Sequence, residues 1–157
     1  MTALLRKAPA VGQLLAASAV SFGGLAGAMK PAEAGMARYH WKNRPLIVFA
    51  PSGTDGRLGS QQDILARHRN GLRERDMVVI MVAGDHVSSQ LGPEPGARAG
   101  ALRALYGVKA REFRAMLIGK DGGVKISSRG PLSADRLFRT IDGMPMRRGE
   151  LSRRSGR

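Results

Sequence analysis

The sequence contains no cysteine. That excludes a thiol nucleophile, a disulfide-exchange centre, a cysteine-ligated iron–sulfur cluster and a cysteine-ligated zinc. Aromatic residues are scarce as well: one Trp, two Tyr and four Phe make up 4% of 157 residues. A nucleic-acid surface that stacks bases on interleaved aromatic rings is a poor fit to that supply. Negative charge is also thin, with 12 Asp and Glu against 26 Lys and Arg. Nor is there an unbroken apolar run of the ~20 residues that a membrane-spanning helix needs. The longest apolar stretch, Ala8 to Met29, is interrupted by Gly12, Gln13, Ser18, Ser21 and the Gly23-Gly24 pair.

What the N-terminus does hold is the pattern of an export signal. Arg6 and Lys7 precede the apolar stretch, and Ala32-Glu33-Ala34 follows it with small residues at the spacing a signal peptidase reads. The pattern predicts a signal peptide over residues 1–34, cleavage between Ala34 and Gly35, and a periplasmic or secreted product. An uncleaved N-terminal membrane anchor is the alternative. Cleavage leaves 123 residues, from Gly35 to Arg157. A chain of that size buries roughly two-thirds of its unfolded surface, enough for one core without metal or disulfide staples. Small exported domains often use disulfides; this one must rely on packing.

Removing Arg6, Lys7, Lys30 and Glu33 from the totals leaves 23 basic and 11 acidic residues, a net charge of +12. Two explanations stand side by side. The arginines are merely solvated, or they meet a polyanion such as anionic lipid or surface polysaccharide.

Along the mature chain, Leu46 to Ala50 reads as a buried strand after Pro45. Pro51 to Gly56 is a loop by its turn chemistry. Leu58, Gln61, Leu65, His68 and Leu72 recur at helical steps between Arg57 and Arg73, and Asp55 is placed to cap that helix. Met77 to Val82 is a second strand, apolar throughout, which points to a sheet covered on both faces. Gly84 to Gly100 reads as a Gly/Pro-rich loop, followed by a short helix that Gly107 closes. Phe113 to Gly119 and Val124 to Ile126 flank Lys120-Asp121-Gly122-Gly123, a hairpin turn by its Asp-Gly pair. Ser133 caps a last helix from Ala134 to Asp142, and residues 149–157 form a basic tail expected to fray. The expected fold is α/β, a mixed sheet of about four strands with helices on both faces.

The element order and four stretches carry a resemblance. RPLIVFAP with its polar loop, RERDMVVIMV, FRAMLIGKDGGVKISS and LFRTIDGMPMRR together resemble a bacterial thioredoxin-like family of unknown function. The domain type is similar to one in equarin, in sushi-repeat-containing secreted proteins and in a coiled-coil-domain-containing matrix protein. The likeness covers about Tyr39 to Arg148, and it implies a thioredoxin-like fold over residues 35–148. Working thioredoxins and peroxiredoxins carry a reactive cysteine just after the first strand. Ser52, Gly53, Thr54 and Asp55 stand in that stretch here. Those enzymes also carry a cis-proline before the third strand, where this chain reads Val108-Lys109-Ala110-Arg111-Glu112-Phe113. The resemblance therefore implies a fold kept for binding: an exported, non-catalytic module whose partner is a protein or an anionic envelope component, with no cofactor. A non-thiol enzyme at the same loop is the lesser alternative.

Ser52, Thr54, Asp55 and Arg57 are the candidate anion-binding group, set at a helix N-terminus; simple capping by Asp55 competes with that reading. Arg67, Arg69, Arg73, Arg75, Arg147 and Arg148 are candidates for a basic surface. His40, His68 and His86 lack zinc-type spacing, so no metal site is expected. Ser52 with His86 and Asp85 makes a poor hydrolase triad, because no G-x-S-x-G elbow is present.

Overall fold

The structure, a computed structural model, describes residues 30–156. The expected signal segment up to residue 29 lies outside the described residues. The elements in order are α1 (Pro31–Ala37), β1 (Arg44–Ala50), α2 (Gly56–Arg67), α3 (Arg69–Glu74), β2 (Met77–Ala83), β3 (His86–Leu91), α4 (Ala99–Tyr106), β4 (Arg114–Ile118), β5 (Val124–Ser128), α5 (Ala134–Asp142) and α6 (Pro145–Ser155).

Five strands form one sheet in the order β3-β2-β1-β4-β5. β1 and β2 are parallel, in register from Arg44 opposite Met77 to Ala50 opposite Ala83. β4 runs antiparallel to β1, and β5 antiparallel to β4. β1 beyond Arg44, and β2, are apolar throughout because each face has its own cover. Leu46, Val48, Met77, Val79 and Met81 pack against Leu58, Leu65 and Leu72 of α2 and α3 and Leu137 and Ile141 of α5. Ile47, Phe49, Val78, Ile80 and Val82 pack against α1 and α4 through Ala32, Met36, Ala99 and Leu102. Apolar runs buried on both sides are what parallel strands with helical crossovers require.

Three expectations change. The Gly84–Gly100 stretch is not all loop, since β3 pairs antiparallel with β2 as a fifth, edge strand. Gly84 makes the turn at φ 56, and Ser89 fixes the strand by donating to Val79 O at 3.2 Å. The single long helix from Arg57 divides at His68 into α2 and α3. The basic tail does not fray: α6 continues to Ser155, anchored by Arg147, which is 0% exposed. A domain boundary at 148 would cut that helix.

The topology gives the molecule two poles. β1 and β2 end, β4 begins and β5 ends at one of them. The other gathers the starts of β1 and β2, the β4–β5 turn and the α5–α6 junction.

Candidate functional site

The first pole is where the β1–α2 loop leaves the sheet. Asp55 Oδ1 accepts the Arg57 backbone N–H at 2.9 Å and so caps α2. The same carboxylate takes Arg57 Nε at 3.0 Å and Nη2 at 2.7 Å. Hydrogen bonds from Arg57 hold the Asp55 carboxyl below the usual aspartate range, against the opposing effect of burial. Ser52 and Thr54 hydroxyls pair with each other at 3.1 Å. Each group of the expected anion site is thus engaged locally, and Arg57 alone turns toward a cavity. Its guanidinium lies 4.9 Å from the centre of the Phe113 ring.

That cavity is a groove of about 540 Å³ lined by Arg57, Lys109, Arg111, Glu112, Phe113, Arg114 and Arg129. Five cations surround one carboxylate. Glu112 pairs with Arg114, receives the Lys109 backbone N–H at 3.3 Å, and lies 4.0 Å from Arg129. Its own bond to Arg114 is the main reason its carboxyl is held low. Lys109 and Arg111 have no carboxylate partner among the described residues. The approach to β4, where thioredoxin enzymes place a cis-proline, here carries these two cations. Arg103 braces the groove from below: it is buried, donates to Ala50 O at 2.6 Å and to Lys109 O at 2.9 Å, and so ties the end of β1 to that approach.

Sequence reasoning located Arg57 but missed Lys109, Arg111, Arg114 and Arg129 as its companions. The pair Lys109 and Arg111, replacing the proline, was the signal available. Arg114 and Arg129 needed the β4–β5 pairing to bring them in.

The expected basic surface divides. Arg67, Arg69, Arg73 and Arg148 are exposed. Arg75 and Arg147 are not surface residues. Arg75 forks onto Asp142 at 3.0 and 2.6 Å and stacks on Phe138. Arg147 reaches Glu74 at 2.9 Å and Asp142 at 3.3 Å. Planar guanidinium forks suit such internal pairing with carboxylates. At the second pole Arg44, 0% exposed, meets Glu150 at 3.0 Å, and Lys120 reaches Glu150 at 2.7 Å and Asp76 at 2.8 Å. His40 precedes β1, His68 joins α2 to α3 and His86 opens β3. Among the described residues no three His, Asp or Glu side chains gather as metal ligands would.

The fold is thioredoxin-like. Its architecture is similar to that of a peroxiredoxin, Prx1a of Plasmodium yoelii modified at its N-terminus. The two share 16% identity with a TM-score of 0.51, over 73% of this chain and 80% of that one. Residues 35–150 match the family described as a domain of unknown function, DUF4174, and the chain belongs to that family.

Proposed function

We propose that this protein is an exported, non-catalytic thioredoxin-like module that binds an anionic ligand of the cell envelope at the Arg57 groove. The observation that carries the reading is the exchange of chemistry at one place in the fold. The thiol and the cis-proline are missing, and five cations stand around a groove there instead. Arginine and lysine clusters of this kind recognise phosphate and carboxylate groups through charge-assisted hydrogen bonds. The ligand is a component such as an anionic polysaccharide or the acidic surface of a protein.

Export rests on the N-terminal pattern, and the family match beginning at Gly35 is in keeping with cleavage after Ala34. The purified chain is tested against soluble polyanions at rising salt. Binding falls steeply with ionic strength, as expected for an electrostatic contact, and Lys109→Glu with Arg111→Glu abolishes it. Unchanged affinity in that double variant removes the groove from the reading.

A further inference from the structure

Four large apolar side chains are exposed among the described residues: Trp41 at 70%, Val124 at 48%, Met146 at 37% and Leu151 at 37%. All four belong to the pole opposite the Arg57 groove. Trp41 stands in the turn before β1, and its backbone N–H donates to Lys120 O at 2.7 Å. Val124 follows the same β4–β5 turn. Met146 opens α6 and shares with Trp41 and Met144 a cleft of about 590 Å³. Leu151 lies on α6 beside Glu150, which Lys120 holds. Trp41 is kept in the left-handed region at φ 62, where few bulky residues are found. The fold thus fixes an indole in water.

Cations accompany these side chains. Lys42, Arg148, Arg153 and Arg154 are exposed, and none has a carboxylate within ion-pair distance among the described residues. The nearby carboxylates are already engaged: Asp121 by Lys125, and Asp76 and Glu150 by Lys120. The surface therefore offers exposed apolar tips on elements that also carry unpaired positive charge: Lys42 follows Trp41, and Arg148, Arg153 and Arg154 share α6 with Met146 and Leu151. That combination suits the boundary of an anionic bilayer, where Trp sits at headgroup level and Lys and Arg meet lipid phosphates. Among the described residues no helix is long and apolar enough to cross a membrane, so this pole would lie on the surface.

We infer that this pole docks on an anionic lipid surface, with Trp41, Met146 and Leu151 at the headgroup boundary and Lys42, Arg148, Arg153 and Arg154 on the phosphates. Docked in this way, the protein turns its Arg57 groove away from the membrane. The inference relies on the proposed envelope location only to bring lipid within reach, and its test does not read the groove, so the two fail separately.

Trp41 is the chain's one tryptophan, so its emission reports this pole alone. The full chain is mixed with vesicles of phosphatidylglycerol and phosphatidylcholine, or of phosphatidylcholine only, some carrying brominated acyl chains. The N-terminal apolar stretch can hold the chain to vesicles, so the readout is the Trp41 spectrum and its quenching. A blue shift and quenching confined to phosphatidylglycerol vesicles, and reversed by salt, are expected. The triple variant R148E/R153E/R154E weakens partitioning on the order of a hundredfold, and Lys42→Glu alone roughly tenfold. Circular dichroism checks that each variant is folded. An unshifted Trp41 with anionic vesicles, an equal shift with neutral ones, or a wild-type Trp41 shift and quenching in folded variants overturns the inference. So does the same shift with soluble polyglutamate, which would indicate an acidic polypeptide partner.

Discussion

Asp55 shows how one residue serves two roles in the loop after β1. Its carboxylate closes the first turn of α2 and also holds the Arg57 guanidinium. Asp55→Ala is expected to lower stability by ~1 kcal/mol through the lost cap, measured by denaturant unfolding, and to free Arg57 to move in the groove. Because the Asp55 carboxyl is held low, its contribution is complete above the ordinary aspartate range and fades as pH falls below it. A loss of anion binding with unchanged melting would instead make Asp55 a ligand-binding residue. The capping roles of Asp55 and Ser133 were legible in the sequence, because the side chain acts on residues two or three positions away. Gln61 was legible only as a member of the inward stripe. Its partner is the backbone of Leu132, which donates at 2.7 Å and accepts at 3.0 Å from 71 residues away, and no local pattern predicts such a clasp.

Among the elements, α6 departs most from expectation. Its sequence is basic and nearly without apolar residues, and composition alone reads as a frayed tail. The helix is held by charge. Arg147 and Glu150 point inward to Glu74, Asp142, Arg44 and Lys120. Burial would raise the Glu150 carboxyl, but Arg44 and Lys120 more than offset it and hold it at about 2 against an ordinary 4.5. This anchorage is therefore complete above pH 4.5 and is lost as pH falls toward 2. Glu150→Gln should cost about 3 kcal/mol, because it leaves Arg44 buried and underpaired; hydrogen exchange along α6 would show the helix loosening first. β3 escaped the sequence reading for a related reason. An edge strand with a polar exposed side lacks the apolar run that revealed β1 and β2.

At the other end of the chain, α1 contains the expected cleavage bond. Ala32 is buried against α4, and Gly35 passes so close to Pro95 that a Cβ there would collide with its carbonyl oxygen. Cleavage after Ala34 would shorten α1 and leave Met36 to fill that face. Intact-mass analysis of the exported protein is expected to give Gly35 as the first residue. A product retaining Pro31–Ala34 would move the site upstream and keep the helix whole.

For the molecule as a whole, a thioredoxin-like topology is combined with a sequence that holds no cysteine. The sheet order places a cationic groove at the pole where β1 ends and β4 begins, and the opposite pole carries exposed apolar tips among unpaired cations. A net charge of +14 said only that some anion is a natural companion. Pairing of β1 with β4 and of β4 with β5 decided which cations converge. The central claim is that the Arg57 groove is where this protein holds its ligand. Because the chain lacks cysteine, a single thiol introduced by Ala110→Cys, exposed between Lys109 and Arg111, can carry a photo-crosslinker that reports on the groove and leaves its five cations in place. In-cell crosslinking with that variant, followed by mass spectrometry, should capture one discrete anionic component, and adding Arg111→Glu and Arg129→Glu should abolish the capture. Capture that persists unchanged in the charge-reversed protein, or none at all, would contradict the account.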